Sequence, residues 1–315
     1  MTRSVFKYRG LSALDRDLTT LAADRLYAPT AAYLNDPTEV VLNHQVVQMS
    51  AEAMSPEVAR HYETLVEMRC TVGIFSLSKV CNDELMWAHY ADSHAGYCIE
   101  YDLDRLVLEA RTQWDTVLLE YSDEPPSLDF SDVVGSETHE KALQKMLGHK
   151  SSRWAYEDEL RIVTARSGVN HCARAAVKAI YFGCRCSDAD RLKIRSKMKN
   201  RNIQYNEMYF PEISYKLDSR MLDRLPEIDG EAIETVAPIE MEAISKPEHM
   251  GGQAHLYPQL VDAVEYVRKD PNCVKIVYAG ASASGPHSGK LFVQFESSVP
   301  TDLSPVVNWY FNPVS

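Results

Sequence analysis

The chain has 315 residues, enough to bury a full hydrophobic core, and its length suggests one large domain or two modest ones. A formal net charge of −12 argues against a protein that binds nucleic acid over its whole surface. No apolar run approaches the ~18 residues that a membrane span needs. Seven cysteines without a framework spacing favour a reducing compartment. We therefore expect a cytoplasmic protein with no membrane partner.

The first residues predict a strand followed by a helix. Phe6 to Arg9 is a short apolar and basic run that is typical of a strand. Apolar residues then recur at helical spacing from Leu14 to Leu21, and Ser12 with Asp15 resembles a capping box that begins the helix. A second short strand in LYAP and the turn-prone sequence LNDPTE follow.

The region from residue 55 to residue 220 predicts further helices and strands. Ser55-Pro56 is typical of a helix start, and TVGIFSLSKV and GYCIEYD are typical of strands. The later predicted elements are, in order, a short helix capped by Asp104, a strand in TVLLEYS, a helix in HEKALQKML, strands in RIVTA and VKAIYFG, a basic helix opened by Ser187 and Asp190, and a strand in IQYNEMYF. Strands and helices are only partly interleaved, which predicts an α+β fold with a mixed, mostly antiparallel sheet and flanking helices.

The composition changes at Pro226. Residues 226–254 carry seven acidic side chains against one lysine and contain a Gly-Gly pair, which is typical of a linker. Residues 255–315 predict a small α+β module with a helix from Tyr257, a hairpin of KIVYAG and KLFVQFE, and a last strand in VVNWYF. The predicted domains are therefore 1–225 and 255–315, joined by the acidic linker.

Three carboxylates crowd the sequence WAYEDELRIV. If this segment is a strand, Glu157, Glu159 and Arg161 share one face because side chains alternate. If it is a helix, Glu157 and Arg161 form an ordinary i,i+4 ion pair with no chemical role. Both interpretations are open from these residues alone.

Four phrases occur in a specific order: FKYR, LYAPTAAYLNDPTE, GIFSLSKVCNDELMWAHYADSHAGYCIEYD and KSSRWAYEDELRIV. Together they resemble the bacterial domain-of-unknown-function family numbered 2971, over residues 5–215. That resemblance implies a small intracellular protein of the kind associated with mobile elements or phage defence. The phrases are also similar, in their order, to the motifs of ADP-ribosyltransferases of the arginine–serine–glutamate type.

This second resemblance implies an ADP-ribosyltransferase-like fold that binds NAD as its substrate. It implies that Arg9 holds the NAD phosphates, that Ser76 and Ser78 support the site, and that Glu157 and Glu159 are the catalytic residues. A carboxylate stabilises the positive charge that develops on the ribose as nicotinamide leaves. A guanidinium can bind pyrophosphate through two parallel hydrogen bonds.

Aromatic and polar residues near these motifs are further candidates. Tyr8 or Trp154 could stack on nicotinamide or on the acceptor. Residues that have no place in the motif order but could line the same pocket are Asn35, Asp36, Glu39, Trp87, His89 and Tyr90. Packing in the core is favoured for Trp87, and an Asx turn is the alternative role for Asp36.

Three functions follow from these patterns. The first is an ADP-ribosyltransferase-like enzyme of bacterial defence, or a toxin, whose partners are NAD and a macromolecular acceptor of unknown identity, with no metal. The second is a non-catalytic sensor of a nucleotide or a phage component. The third is a metal-dependent nuclease in which Asp36, Glu39, Glu157 and Glu159 gather Mg²⁺. A nucleic-acid partner is open but not favoured, since the basic helix after Ser187 is typical of a solvated face; the oligomeric state stays open.

Overall fold

The computed structural model of the protein describes residues 3–40, 60, 63–64, 67, 71–108, 114–127, 132, 138–199, 201, 203–222, 236–269, 273–283, 287–301 and 304–313. The chain divides into two compact units. The first is Met1–Arg191 with Ile203–Arg224, and the second is Leu192–Asn202 with Leu225–Ser315. The helix predicted from Ser55-Pro56 has its start outside the described residues.

An eight-stranded sheet forms the centre of the first unit. The strands of this unit are β1 (Ser4–Arg9), β2 (Arg25–Ala28), β3 (Gly73–Ser78), β4 (Tyr97–Asp102), β5 (Trp114–Leu118), β6 (Glu120–Ser122), β7 (His149–Ser151), β8 (Glu159–Thr164), β9 (Gly168–His171), β10 (Val177–Phe182), β11 (Gln204–Tyr209) and β12 (Asp218–Met221). The order across the large sheet is β12-β11-β10-β4-β1-β3-β8-β5, while β2 pairs with β9 and β6 with β7. Within the large sheet only β10 and β11 run parallel. The predicted α+β fold with a mostly antiparallel sheet is confirmed.

The helices before residue 200 whose bounds lie within the described residues are short. They are α1 (Leu14–Ala22), α2 (Glu84–Tyr90), α3 (Leu103–Leu108), α4 (Thr138–Leu147) and α5 (Asp188–Lys197), with 3₁₀ helices at Ala31–Tyr33, Ser152–Glu157 and Arg174–Ala176. The buried residues of α1 are Leu14, Leu18 and Leu21, the apolar stripe that the sequence predicts.

The two predicted capping boxes have different outcomes. The hydroxyl of Ser187 accepts a hydrogen bond from the Asp190 backbone amide at 3.1 Å, so this cap is confirmed. By contrast α1 begins at Leu14, and its cap position makes no side-chain hydrogen bond. Ser12 with Asp15 is therefore not a capping box, because the helix begins too late for the Ser12 hydroxyl to reach its first amides.

Asp104 was expected to cap the helix that follows β4, and this prediction is wrong. The carboxylate of Asp102 caps α3 instead, since it accepts a hydrogen bond from the Arg105 backbone amide at 3.2 Å. Asp104 lies inside α3 and pairs with Arg3 at 2.8 Å. The strand runs directly into the helix, so the cap is the last residue of β4.

The sheet is split beside its central strand. β1 pairs with β4 over six residues, from Ser4 to Arg9. Its ladder to β3, in contrast, consists of the single pair Phe6 and Ser78, although both strands lie wholly within the described part of the chain. Beyond that pair the two neighbouring strands separate, and a gap opens along the second half of β1.

A three-stranded antiparallel sheet and one helix form the core of the second unit. Its elements are α6 (Tyr257–Arg268), β13 (Cys273–Ala281), β14 (Leu291–Thr301) and β15 (Ser304–Phe311), with 3₁₀ helices at Pro247–His249 and Gly251–Leu256. The predicted hairpin is confirmed, because β13 and β14 pair antiparallel.

Residues 236–254, expected to belong to the acidic linker, are part of this second unit. Ala237, Ala243 and Met250 are buried in its core. Ile239 and Ile244 form isolated bridges to β13. Small and apolar residues between the acidic ones carry this packing, which a count of charges does not show; residues 226–235 lie outside the described part.

Two general features of the described residues bear on the sequence predictions. No helix among them is both long enough and apolar enough to cross a membrane. The six cysteines among them have free thiols.

A substitution at Gly96 tests the close packing between the end of β1 and the residues just before β4. A Cβ at Gly96 would collide with the backbone oxygen of Arg9 and would press on the backbone of Ala91. We expect Gly96→Ala to destabilise the fold by about 2 kcal/mol, as overpacking does. Chemical denaturation measures this change. Gly252→Ala is the control, because its Cβ would meet nothing within 4 Å; equal stability of the two variants would contradict the packing argument.

Candidate functional site

A cavity of about 860 Å³ lies in the first unit, next to the gap between β1 and β3. This volume is within the ~300–1,000 Å³ that small-molecule sites occupy. Residues from distant parts of the sequence line it, among them Arg9, Ser76, Ser78, Glu157 and Glu159. The structure therefore brings the predicted arginine, serines and glutamates to one cavity.

Five buried charged side chains form one cluster at the cavity, and all of them except Arg161 line it. We call them the acid–base cluster: Glu39, Lys150, Glu157, Glu159 and Arg161. The ammonium of Lys150 lies 3.2 Å from Glu39, 2.5 Å from Glu157 and 2.9 Å from Glu159. The guanidinium of Arg161 lies 2.6 Å from Glu39 and 2.9 Å from Glu159. None of these side chains is more than 5% exposed. Three carboxylates are thus held by two cations away from solvent.

The local chain path explains how the two central glutamates meet. Glu159 and Arg161 are in β8 and share a face, as the strand interpretation predicts. Glu157 reaches the cluster from a different element, because it ends the 3₁₀ helix Ser152–Glu157. Asp158 between them has a left-handed backbone, φ 40° and ψ 53°, which turns the chain into the strand. The i,i+4 helical pair does not form; Arg161 binds Glu159 and Glu39 instead.

The two serines of β3 support the glutamates, as the motif resemblance implies. The hydroxyl of Ser78 donates a hydrogen bond to the backbone oxygen of Glu157 at 2.7 Å and accepts one from the Val80 amide at 3.2 Å. A hydrogen bond from the Ser76 side chain contributes to the low pKa of Glu159. One serine fixes the backbone of the first glutamate, and the other stabilises the charge of the second.

The cluster sets different protonation for its two glutamates. Burial raises the pKa of Glu159, but the charges of Arg161 and Lys150 outweigh burial and lower this pKa to about 2. For Glu157 burial dominates and raises the pKa above its usual value, against the opposing charge of Lys150. Its carboxylate also accepts a hydrogen bond from the Tyr90 hydroxyl at 2.5 Å. Glu159 is a permanent anion at neutral pH, and Glu157 is the more easily protonated of the two.

Lys150 is the residue of this cluster that the sequence analysis missed. Burial lowers its pKa, but the carboxylates of Glu159, Glu39 and Glu157 outweigh burial and raise the pKa above the usual lysine value. Its ring neighbour is Trp154, whose centroid lies 5.3 Å from the ammonium. Lys150 directly precedes the serines of KSSRWAYEDELRIV, and no spacing in that phrase marks it as a partner of the acids.

Two cationic side chains project from β1 into the cavity. Arg9 is 27% exposed in its side chain, and its nearest carboxylate is Asp17 at 3.7 Å, a loose pair. Lys7, two residues earlier, donates a hydrogen bond to the backbone oxygen of Ser76 at 2.7 Å. Burial, followed by the charge of Arg9, lowers the pKa of Lys7 to about 7. The sequence analysis missed Lys7, although alternation along a strand puts it on the same face as Arg9.

Tyr8 was expected to stack on a ligand; it is among the residues that line the cavity, but its ring packs into the core. Its hydroxyl donates a hydrogen bond to the backbone oxygen of Val80 at 2.9 Å. The ring packs edge-on against Trp87, with centroids 5.3 Å apart. Adjacent residues of a strand point to opposite faces, so Tyr8 and Arg9 cannot both extend into the same space. The favoured core role of Trp87 is confirmed, since Trp87 is fully buried.

The remaining candidates divide between the cavity wall and its surroundings. Those that line the cavity are Asn35, Glu39 and Tyr90. Asp36 makes the Asx turn instead, because its carboxylate accepts a hydrogen bond from the Thr38 amide at 2.8 Å. His89 is exposed and Trp154 lies behind Lys150, so neither is part of the cavity wall. The turn in LNDPTE thus places Glu39 in the acid–base cluster.

The nuclease interpretation needs carboxylates that share a metal ion. Asp36 is engaged in its turn, and Glu39, Glu157 and Glu159 converge on an ammonium. Among the residues that the structure describes, no group of three or more His, Cys, Asp or Glu side chains is placed to hold a metal ion. The acids of this site are arranged around Lys150.

The split antiparallel sheet and the charged cavity define an α+β protein with a ligand-sized site. Residues 86–162 match the model of a family described as protein of unknown function (DUF2971). The resemblance to this family is thereby confirmed over a range that includes Tyr90, Lys150, Glu157 and Glu159. No curated protein and no solved structure matches the chain.

The low pKa of Glu159 predicts a pH-dependent contribution to stability. A carboxylate whose pKa falls from 4.5 unfolded to about 2 folded stabilises the fold above pH 4.5 and loses this effect as the pH falls towards 2. We expect Glu159→Gln to lower the free energy of unfolding by roughly 3 kcal/mol at pH 6 and by less than half of that at pH 3.

Urea denaturation at both pH values measures this difference. Glu124→Gln is the matched control, because Glu124 is exposed in the same unit. A penalty for Glu159→Gln that is the same at both pH values would show that the carboxylate is not held by its charge.

Proposed function

We propose that the cavity binds NAD and that the chain transfers ADP-ribose from NAD to a macromolecular acceptor, acting in the cytoplasm as a defence effector or toxin. The observation that carries this proposal is the convergence of Arg9, Ser76, Ser78, Glu157 and Glu159 on one cavity of about 860 Å³. These residues come from three separate parts of the chain, in the order that the motif resemblance requires.

The cavity offers a distinct environment to each part of the dinucleotide. At one end Arg9 has only a loose carboxylate partner at 3.7 Å, so its guanidinium can turn to pyrophosphate oxygens. At the other end Glu159 is ionised at neutral pH because Arg161 and Lys150 lower its pKa. A fixed carboxylate there favours the positive charge that develops on the ribose as the bond to nicotinamide breaks.

Glu157 suits the transfer to the acceptor. As the acceptor nucleophile bonds to the ribose carbon, nicotinamide leaves with the electron pair of the broken bond and the nucleophile gives up its proton. The raised pKa of Glu157 makes its carboxylate the better proton acceptor of the two. Its hydrogen bonds with Tyr90 and Lys150 orient it.

A nucleotide sensor is the second candidate, and one observation favours it. Both glutamates are engaged in ion pairs within the acid–base cluster and are at most 4% exposed as residues. A site built this way could bind NAD through Arg9 without bringing a free carboxylate to the ribose. Both candidate functions require NAD binding, and only the transferase converts NAD to products.

Calorimetric titration tests the shared step. We expect NAD to bind the wild-type chain, and Arg9→Ala to weaken binding by about tenfold or more, as loss of one charge-assisted phosphate contact does. Arg3→Ala is the matched control: it removes an exposed arginine that precedes the same strand and lies outside the cavity. Equal affinities for NAD of the wild type, Arg9→Ala and Arg3→Ala would show that Arg9 does not contact NAD.

Transfer of label from NAD to proteins or nucleic acids of a cell lysate tests the second step. We expect Glu157→Gln to reduce transfer by at least about a hundredfold while NAD binding persists, since the amide cannot accept a proton. The substitution is similar in size and can keep the contact with Tyr90. NAD binding without transfer by the wild-type protein would establish the sensor instead, and Mg²⁺-dependent cleavage of nucleic acid without NAD would favour the nuclease.

A further inference from the structure

Lys7 lies where the sheet splits. It is in the second half of β1, past the pair Phe6 and Ser78 that ends the ladder to β3. Its ammonium nitrogen donates a hydrogen bond to the backbone oxygen of Ser76 at 2.7 Å and lies 5.0 Å from the centre of the Phe75 ring. The residue is partly exposed and lines the cavity. The Lys7 side chain therefore forms part of the cavity surface on the side of β1.

A second lysine, Lys150, lines the same cavity and differs from Lys7 in the charges that contact its ammonium. Lys150 contacts three carboxylates within 3.2 Å, which keep it charged. The contacts of Lys7 are a neutral carbonyl and a ring, and the next residue on its face is the cation Arg9. The carbonyl and the ring face can each interact with an ammonium ion, so the charged form is disfavoured by the loss of water on burial and by the charge of Arg9, with no carboxylate in contact to compensate.

The consequence is a reactive amine at neutral pH. Burial and the charge of Arg9 lower the pKa of Lys7 to about 7, against the longer-range effect of Glu159, Glu157 and Asp17. At pH 7 about half of the Lys7 side chains are neutral, compared with about one in three thousand for a lysine of pKa 10.5. Neutral amines in such sites are the lysines that form Schiff bases.

We propose that Lys7 is a covalent capture site whose amine forms an imine with a small aldehyde or ketone that carries a phosphate or carboxylate group. The nitrogen lone pair attacks the carbonyl carbon and a C=N bond replaces the C=O bond. The carbonyl oxygen leaves as water with the two protons of the amine, so no oxidant or reductant takes part. When the imine is protonated, the backbone oxygen of Ser76 remains in reach to accept its hydrogen bond.

The anionic group of the ligand follows from the other side chains of the cavity. Arg9 of β1, Arg16 of α1 and Arg25 of β2 line it. Arg16 is 76% exposed, and the nearest carboxylate to both Arg9 and Arg16 is the single Asp17 at 3.4–3.7 Å. Arg9 and Arg16 can therefore bind a phosphate or carboxylate without breaking a strong pair. This inference stands on Lys7 and the cavity, and it does not require transfer from NAD.

Reductive labelling with pyridoxal 5′-phosphate tests the proposal on the full chain without NAD. The protein is incubated with the aldehyde at pH 7, reduced with borohydride, and each lysine is quantified by peptide mass spectrometry. We expect Lys7 to be labelled at least about tenfold faster than exposed lysines, with half-maximal rate near pH 7. Lys150 is the internal control in the same cavity and should stay unlabelled, because its carboxylates keep it charged.

Two comparisons complete the test. Lys7→Arg should lose the fast label, and pyridoxal, which lacks the phosphate, should label Lys7 more slowly than pyridoxal 5′-phosphate. Labelling of Lys7 at the rate of exposed lysines, preferential labelling of Lys150, or equal rates with and without the phosphate would each overturn the proposal. The labelling map of the wild-type chain does not depend on how well a variant folds. Failure of NAD binding would leave this labelling unchanged, so the two proposals fail separately.

Discussion

The contact of one buried ammonium with three carboxylates is the constraint on which this site depends. Lys150 links the turn that carries Glu39, the end of a 3₁₀ helix and the first residue of β8. Each of these charges would be costly to bury alone, and together they are tolerated because every carboxylate has a cation in contact. Removing one member would leave the remaining charged side chains buried without a counter-charge or water. The wall of the cavity is therefore fixed by mutual dependence of its charges, and Ser76 and Ser78 reinforce it from β3.

The gap between β1 and β3 creates the space of the cavity next to that wall. A continuous ladder would place the strands within hydrogen-bonding distance and leave no space, whereas a ladder of one pair opens a gap beside Lys7 and Arg9. The cavity is then lined by the carboxylates held on Lys150 and by Arg9 and Arg16, whose carboxylate neighbour is Asp17. Opposite charges kept apart in this way suit a ligand that is anionic at one end and becomes cationic at the other during reaction. The packing of Phe6 and Tyr8 on Trp87 holds β1 in place behind the gap.

Local patterns predicted much of the fold and part of the site. Short strand-like runs identified β1, β3, β4 and β8, and alternation, in the strand interpretation of WAYEDELRIV, put Glu159 and Arg161 on one face. The same rule would have separated Tyr8 from Arg9 and added Lys7, had it been applied to β1. Lys150 could not be found this way, because its role depends on three partners that reach it from different elements. The packing of residues 236–254 could not be predicted for a similar reason: their bridges join Ile239 to Ile276 and Ile244 to Ala279, 35–37 residues further along the chain.

The proton on Glu157 decides how this cluster can act. With all three carboxylates ionised, the cluster has one negative charge more than its two cations supply, and that excess favours a developing positive charge in the cavity. With Glu157 protonated the cluster is neutral and this electrostatic effect disappears. Burial raises the pKa of Glu157, whereas Lys150 opposes that rise, so the balance depends on what enters the cavity. A ligand that brings positive charge near Glu157 would lower its pKa and restore the excess, which couples ionisation of the site to the charge of its ligand.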